Sequence, residues 1–294
     1  MLPGLLLFAF FVWYPLMNNI AMSFFKADGL TGFDHFVGFE NFIAIFKDDR
    51  FITAFGNTFI YLGWSLLIGF ILPLFIGLLL SEVVHAKSLF RILIYFPAIL
   101  SGMAVVIMWT YMFDQNDNSM LNTILGLFNL PPSLFVQDSD LAIPLIVVTM
   151  TWKGAGSTAL IYLSAIQNID QNQYEAARLD GAGMFRRIFH VTIPNIMPTL
   201  STLFILQIIS VMQVFYEPLV MTKGGGPNNA SMSLLLLGYL YRFDTTYADP
   251  GKAAATCVIL FLIILLLTLV YFTVEKAMKG GFRRKEKTYG GNKS

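Results

Sequence analysis

Polar side chains recur at helical spacing inside an apolar run in the last third of the chain. They are Gln207, Ser210, Gln213 and Glu217, at intervals of three or four residues. On an α-helix, which turns about 100° per residue, they would share one broad face. Amides, hydroxyls and a carboxylate on one face can hydrogen-bond a polar ligand, and ionisable groups within a membrane span mark a pathway by default. The alternative is that they bind neighbouring helices to one another, as serine and glutamine often do.

A second polar face lies on an earlier apolar segment. Lys153, Ser157 and Ser164 share it, and Trp152 adjoins Lys153. Hydroxyl-rich ligands such as sugars need amide and hydroxyl partners together with aromatic faces. Lys153 and Glu217 are also candidates for an ion pair. The predicted substrate-pathway residues are Ser101, Trp152, Lys153, Ser157, Gln207, Gln213, Tyr216 and Glu217.

No residue pattern predicts catalysis or metal binding. Three histidines lie far apart and Cys257 is the single cysteine, so neither a metal cluster nor an internal disulfide is expected. The stretch "GGGPNNA" lacks the lysine of a phosphate-binding loop, and "DPGKAAA" lacks its first glycine and its hydroxyl. We therefore predict no enzyme activity and no cofactor bound by this chain.

Composition indicates how these residues are positioned. The 294 residues are 56% hydrophobic and 13% charged, whereas soluble domains are about 25% charged. Apolar runs of about 20 residues are long enough to cross a bilayer as helices. The predicted fold is an all-α polytopic membrane protein with six transmembrane helices, over residues 1–279, followed by a basic tail at 280–294. The spans are predicted at about Leu5 to Phe25, Asn57 to Leu80, Ile92 to Phe113, Ala142 to Ile166, Leu200 to Met221 and Ala254 to Val274.

Lysine and arginine predict the orientation. Twelve lie in the loops after spans two and four and in the tail, and six lie in the other loops. Because positive charge favours the cytoplasmic side, both termini and the loop after span four are predicted to be cytoplasmic. The first span has no basic segment before it and no cleavage site, so we expect a retained helix.

The loop between spans four and five, "QYEAARLDGAGMFRRIFHVTIP", holds a concentrated set of specific residues. Asp170 can cap a helix, with Gln173 in a capping-box position. We predict a short helix over Tyr174 to Asp180, stopped by Gly181 in a left-handed turn, and a second short turn over Met184 to His190. Such a unit could lie on lipid headgroups. The small side chains of its Ala-Ala pair instead favour close approach by another protein.

The same loop resembles the signature of the permease subunits of ATP-binding-cassette importers. It has Glu175-Ala176-Ala177, then Gly181, then Val191-Thr192-Ile193-Pro194, with Val191 and Ile193 as conservative departures. The resemblance implies a cytoplasmic coupling helix between spans four and five that docks in a groove of a separate ATPase subunit. With the neighbouring charges, the residues it points to for ATPase coupling are Glu175, Ala176, Ala177, Arg178, Asp180, Gly181, Arg186 and Arg187.

Further stretches resemble the carbohydrate branch of that family. They are "FVGFENF", "FGNTFIY", "FRILIYFPAILSGMAVVIMW" and "MTKGGGPNNAS". The resemblance implies a maltose-permease-like type I importer subunit in the bacterial cytoplasmic membrane. The segment from Asp114 to Asp140 is too short for the large extracytoplasmic domain of the enteric maltose permease subunit.

The implied partners are a second related permease subunit, two ATP-binding subunits that carry ATP and magnesium, and an external solute-binding protein that delivers a carbohydrate. Membrane lipid surrounds the chain, and no nucleic acid is expected. A permease for another solute stays an alternative. An ion-coupled secondary transporter is a weaker one, because the sequence has no inverted repeat with broken spans in both halves.

Overall fold

The computed structural model describes residues 2–26, 33–82, 86–244 and 248–290, with residues 87 and 278–290 described by their backbone alone. The described chain is almost entirely helical, as predicted. Two short strands, β1 Phe25–Lys26 and β2 His35–Phe36, pair antiparallel with Phe25 opposite Phe36.

The helices follow one another with few long connections. In chain order they are α1 Leu2–Phe8, α2 Tyr14–Met22, α3 Glu40–Phe46, α4 Asp49–Trp64, α5 Ile71–Glu82, α6 Lys87–Ile99, α7 Gly102–Met112, α8 Met120–Leu127, α9 Ala142–Gln167, α10 Gln171–Leu179, α11 Met184–Arg187, α12 Ile193–Met212, α13 Tyr216–Met221, α14 Leu234–Phe243 and α15 Pro250–Gly290. Three π turns join α1 to α2, α4 to α5 and α11 to α12, at Ala9–Trp13, Ser65–Phe70 and Ile188–Thr192. Short 3-10 turns occupy Phe135–Gln137 and Pro227–Asn229.

Four of the described helices are long and apolar enough to cross a membrane. They are Leu2–Met22, Asp49–Glu82, Met184–Met221 and Pro250–Ala277. The pair Ser88–Ile99 and Gly102–Met112 makes a fifth if it counts as one span. The structure thus supports four or five of the six predicted spans on length and composition. The last helix, α15, continues across the predicted boundary at residue 280, and the final tail residues, 291–294, lie outside the described residues.

The third predicted span is bent in the structure. Its two halves, α6 and α7, meet at 91°. Leu100 and Ser101 both have extended ψ angles, 145° and 136°. These two residues leave the helical conformation, and the chain changes direction there; Pro97 lies earlier, inside α6.

The fifth predicted span has different ends in the structure. Helical structure begins at Met184, passes through the π turn and α12, and stops at Met212. The predicted turn at Met184 to His190 is consequently part of this long helix and not a separate unit. Pro194 lies just inside α12, where it cannot donate to the carbonyl four residues earlier. Beyond Met212 the chain leaves the helix over residues 213–215 and resumes as α13.

The fourth predicted span coincides with α9, which has 26 residues and lies at the centre of the bundle. It is long enough to cross a bilayer but is not among the four helices that are both long and apolar enough to do so. Ile146, Ala159 and Tyr162 of α9 are fully buried. A helix enclosed by other helices presents little surface to lipid, so its glycine, serine, threonine and lysine content is tolerated.

Glycines allow α9 to approach its neighbours closely. A Cβ on Gly77 of α5 would lie 2.9 Å from the Tyr162 Cβ atom and 3.0 Å from the Ala159 carbonyl oxygen. A Cβ on Gly156 would collide with the backbone carbonyl of Ile94 in α6. Backbone cannot move aside as a side chain can, so Gly156 sets the α6–α9 distance.

A charged cluster closes one end of α4. Asp48 is the N-cap residue and accepts hydrogen bonds from the Arg50 backbone N–H (2.9 Å) and the Tyr241 hydroxyl (2.7 Å). Arg50 Nη2 lies 3.0 Å from the same carboxylate. Partial burial raises the pKa of Asp48, but the hydrogen bonds from Arg50 and Tyr241 and the charge of Arg50 outweigh burial and hold this pKa at about 2, below its usual 3.8.

Gly156→Ala should destabilise the protein, because the added methyl group meets backbone of α6; overpacking typically costs about 1–3 kcal/mol. Gly154→Ala is the matched control, since a Cβ there has nothing within 4 Å. Thermal unfolding in detergent measures both. Equal melting temperatures for the two variants would contradict the close approach of α6 to α9 at Gly156.

Asp48→Asn should lower stability at neutral pH, and the deficit should vanish in acid. A carboxyl whose folded pKa is lowered contributes stability above its unfolded pKa of 3.8 and loses it as the pH falls through about 2. Thermal unfolding of both proteins between pH 7 and pH 2 tests this. If the stability difference between the two proteins does not change with pH, the charge of Asp48 does not contribute to stability.

Tyr241→Phe removes one hydrogen bond to the Asp48 carboxylate. The stability that this carboxylate contributes should then be lost at a higher pH than in the unchanged protein.

Candidate functional site

Helix α10 forms the projecting part of the loop that carries the Glu-Ala-Ala sequence. Asp170 caps it as predicted, accepting the Asn172 backbone N–H at 3.0 Å. The predicted capping-box role of Gln173 is wrong, because its side-chain oxygen instead accepts from Asn195 Nδ2 at 2.8 Å. Gly181 has the predicted left-handed conformation, with φ of 75°, and the Ala182 N–H donates to the carbonyl of Ala177 at 2.9 Å, which closes the helix end.

Most residues predicted to contact an ATPase are accessible. Glu175, Ala176, Arg178, Asp180, Gly181 and Arg186 are exposed, and Ala177 and Arg187 are half-buried. Arg187 Nη1 donates to the Ala182 carbonyl at 3.4 Å, so this arginine supports the turn.

Two apolar residues beside this set were missed in the sequence. Leu179 is 89% exposed and Phe185 is 76% exposed. Both lie next to charged residues outside the predicted spans, which is the signal that could have identified them. Exposed large apolar side chains rimmed by polar ones are typical of a protein-binding surface.

A cavity of about 250 Å³ brings four predicted pathway residues together. Its walls are Ala98, Met150, Lys153, Gly154, Ser157, Ser210, Tyr216 and Glu217. The polar groups come from α9, α12 and α13, so the cavity depends on the packing of three helices. Together they present an ammonium, a carboxylate, a phenol and two hydroxyls.

The charges of this cavity do not form a direct ion pair. Glu217 is 6% exposed and Lys153 is half-buried, but within the described residues neither takes part in a salt bridge of 4 Å or less. A Cβ on Gly102 would lie 3.0 Å from the Tyr216 hydroxyl and 3.3 Å from Lys153 Nζ. The bend between α6 and α7 therefore abuts the cavity, and Ser101 lies beside that contact without lining the cavity.

A second cavity, of about 220 Å³, adjoins the first. The two share Met150, Gly154, Ser157 and Ser210, and the second adds Ser65, Gly69, Thr151, Ala155, Thr158 and Gln207. Gln207 Nε2 donates to Ser65 Oγ at 2.5 Å. Ser65 and Gly69 lie in the π turn between α4 and α5, and π turns inside helices are frequent at functional sites. The second cavity contains only neutral polar groups.

Besides Ser101, two predicted pathway residues lie outside both cavities. Gln213 is exposed, and its Nε2 donates to the Ile209 carbonyl at 3.0 Å, which closes the last turn of α12. Trp152 packs edge-to-face on Trp109 with ring centroids 5.8 Å apart. Both therefore have structural contacts that explain them without a ligand.

Buried polar residues outside the predicted set hold the break between α12 and α13. Ser233 Oγ donates to the carbonyl of Val214 at 2.6 Å. Tyr61 donates to the Ser231 carbonyl at 3.0 Å, and Asn57 Nδ2 donates to the Asn229 and Met232 carbonyls at 2.8 and 3.1 Å. These bonds hold the glycine-rich segment after α13 against α4. In that segment Gly224, Gly225 and Gly226 all have positive φ angles. Tyr216 and Glu217 lie between the break and this segment, so the network positions two cavity residues.

Within the described residues, no group of three or more His, Cys, Asp or Glu side chains could hold a metal ion. The polar cavities and the exposed surface of α10, which hold most of the predicted site residues, are the candidate sites.

Comparison with known families gives one match over most of the chain. Residues 69–280 match the family described as "Binding-protein-dependent transport system inner membrane component". The matched region contains the whole first cavity, the second cavity except Ser65, the whole of α10 and the glycine-rich segment.

Individual relatives match nearly the full length. The arabinooligosaccharides transport system permease protein of Bacillus subtilis is 29% identical over 279 residues, which cover 95% of this chain and 88% of the relative. The multiple sugar-binding transport system permease protein of Streptococcus mutans is 31% identical over 273 residues, 92% of each chain.

A solved structure has the same fold. A chain of a bacterial ABC transporter involved in the import of the acidic polysaccharide alginate superimposes with a TM-score of 0.81 at 25% identity. The alignment covers 94% of this chain and 93% of that one.

Proposed function

Because the chain belongs to the family of binding-protein-dependent transport system inner membrane components, we propose that it forms the substrate pathway of an ATP-driven carbohydrate importer. It is a transport subunit of a multi-pass membrane complex and not an enzyme. ATP is hydrolysed by separate partner subunits, and α10 is the element that docks on them. The observation that carries this proposal is the family match over residues 69–280, a region that contains the whole first polar cavity, all of the second cavity except Ser65, and the exposed α10.

The chemistry of the cavities supports a sugar as the substrate. Sugars offer many hydroxyl groups, and the two cavities present hydroxyls, an amide, a phenol and a carboxylate as partners. Several relatives are named for sugar or oligosaccharide transport. We propose Lys153, Ser157, Tyr216 and Glu217 as the first contacts and Gln207 as part of the adjoining second cavity.

The four helices that are long and apolar enough to cross a membrane give four spans. The bent pair α6–α7, taken as one span, and the central helix α9 bring the number to six. The excess of lysine and arginine in the loops after spans two and four and in the tail supports a cytoplasmic location for both termini and for α10.

The proposed assembly contains this chain, a second related permease subunit, two ATP-binding subunits and an extracytoplasmic solute-binding protein. None of the residues in the Leu2–Met22 helix is buried within this chain, so its apolar surface is available to a second permease subunit or to lipid. ATP binding must favour one of two arrangements of the spans through contacts that differ between them. The exposed Glu175, Arg178 and Leu179 of α10 are in a position to make such contacts.

The test of this proposal is uptake by vesicles that contain the chain with its partner subunits. We expect labelled oligosaccharide to enter only when ATP is present inside. Accumulation of an amino acid, a peptide or phosphate, but of no sugar, would overturn the carbohydrate assignment. Uptake driven by an ion gradient without ATP would overturn the importer class.

Glu217→Ala should reduce sugar uptake, because the loss of a hydrogen bond to a charged group weakens binding about 10- to 100-fold. The effect should appear in the substrate concentration at half-maximal uptake, while the ATPase subunits stay bound. Gln213→Ala is the matched control, since Gln213 lies at the same helix break but is exposed and outside both cavities. Unchanged uptake by Glu217→Ala would remove this carboxylate from the pathway.

Glu175→Lys should uncouple the complex, because a reversed charge on the exposed face of α10 disturbs its contact with the ATPase. Substrate-stimulated ATP hydrolysis and uptake should both fall, while the permease itself keeps its melting temperature. Glu82→Lys, an equal charge reversal at an exposed position at the end of α5, should leave both activities intact. Normal uptake by Glu175→Lys would argue against the coupling role.

A further inference from the structure

The way α10 is attached indicates which span moves with it. Only residues 168–170 connect α10 to α9 along the chain. In space, α10 packs chiefly against the π turn Ile188–Thr192 at the start of the next long helix. Its contacts therefore favour movement with α12 over movement with α9.

Two side-chain hydrogen bonds join α10 to that helix. The Tyr174 hydroxyl lies 2.9 Å from Thr192 Oγ1, and Gln173 Oε1 accepts from Asn195 Nδ2 at 2.8 Å. Thr192 and Asn195 are three residues apart, so they lie on neighbouring positions of one helix face. Their partners, Gln173 and Tyr174, are consecutive residues of α10. Two hydrogen bonds therefore join α10 to the helix, and together they restrict both the rotation of α10 and its separation from that helix.

The receiving side of this contact is pre-organised. Asn195 Nδ2 also donates to the carbonyl of Val191 at 2.7 Å, which holds the amide toward α10. Thr192 is 3% exposed, and Tyr174 packs on a buried cluster that contains Tyr162 and Ile166 of α9 as well as Ile196 and Leu200 of α12. Packing therefore contacts both helices, and the two side-chain hydrogen bonds are what link α10 to the α12 side in particular.

The same long helix reaches the cavities. From Asn195 to Gln207 is roughly 18 Å along an α-helix that rises about 1.5 Å per residue. Gln207 and Ser210 both lie on α12 and line the cavities. No break in helical structure separates them from Asn195, so a displacement at one end reaches the other.

We propose that Gln173 and Tyr174, through Asn195 and Thr192, fasten α10 to α12 as one rigid body. The four are positioning residues, and α12 is the element that carries the displacement of α10 to the cavity wall at Gln207 and Ser210. This inference rests on the proposed docking of α10 on an ATPase.

The experiment uses the complete transporter in vesicles and measures sugar transported per ATP hydrolysed. Gln173→Leu and Asn195→Leu should each lower this ratio about 2- to 10-fold, the range expected for one lost hydrogen bond. The double variant should be no worse than either single variant, because both remove the same bond. Tyr174→Phe and Thr192→Val, which keep side-chain volume nearly constant, should behave as a second such pair.

Three comparisons make the outcome decisive. Thr202→Val is the control, since the exposed Thr202 hydroxyl donates only within its own helix, to the Pro198 carbonyl at 3.0 Å, and its ratio should be normal. Co-purification of the ATPase subunits and the melting temperature of each variant separate uncoupling from misassembly. Glu175→Lys serves as the uncoupled reference.

If Glu175→Lys uncouples transport while the four single variants keep a normal ratio, the anchor is wrong and the docking of α10 stands. If the ratio of sugar transported to ATP hydrolysed falls further in a double variant than in either single variant, the two residues do not act through one shared bond, and the proposed pairing is wrong. If Glu175→Lys and the anchor variants all transport normally, the proposed coupling role of α10 fails with the anchor.

Discussion

A polar backbone atom inside a membrane bundle must find a partner, because no water competes there and an unsatisfied group costs several kcal/mol. The break between α12 and α13 creates such an atom, the carbonyl oxygen of Val214. Ser233 donates to it at 2.6 Å, and Asn57 and Tyr61 satisfy three carbonyls of the segment that carries Ser233. This network satisfies the backbone at and near the break, and the polar cavity forms beside the break.

The same constraint explains where the polar cavities lie. Where a helix is continuous, its backbone N–H and C=O groups bond to one another, so few of them are available to hydrogen-bond a ligand. At the bend between α6 and α7 and at the break after α12, the chain turns, Gly102 lets Tyr216 and Lys153 approach, and Glu217 is enclosed. The long helix that ends at the break begins at the π turn beside α10. A polar cavity and the proposed docking surface on α10 are thus connected by one long helix, which is the arrangement that the proposed coupling requires.

Local sequence patterns predicted the parts that depend on neighbours along the chain. Asp170 and Gly181 begin and end α10 as expected, because a cap and a left-handed glycine act on adjacent peptide groups. The predicted span over Ala142 to Ile166 matches α9 to one residue. Gln173 shows the limit of such patterns. Its position suits a capping box, yet Asn195, 22 residues away in the chain, takes its side-chain oxygen.

The sequence by itself determined that this is a helical membrane protein with a specific loop after its fourth apolar run, since hydrophobic length and helix caps are local properties. It also singled out Lys153, Ser157, Tyr216 and Glu217 as costly or distinctive groups in apolar runs. Only the tertiary structure decided that these four share a cavity while Gln213 and Trp152 lie outside it. Helical periodicity defines which residues share a face of a helix. Which faces line the cavity is decided by the packing of α9, α12 and α13 and by the break at residues 213–215.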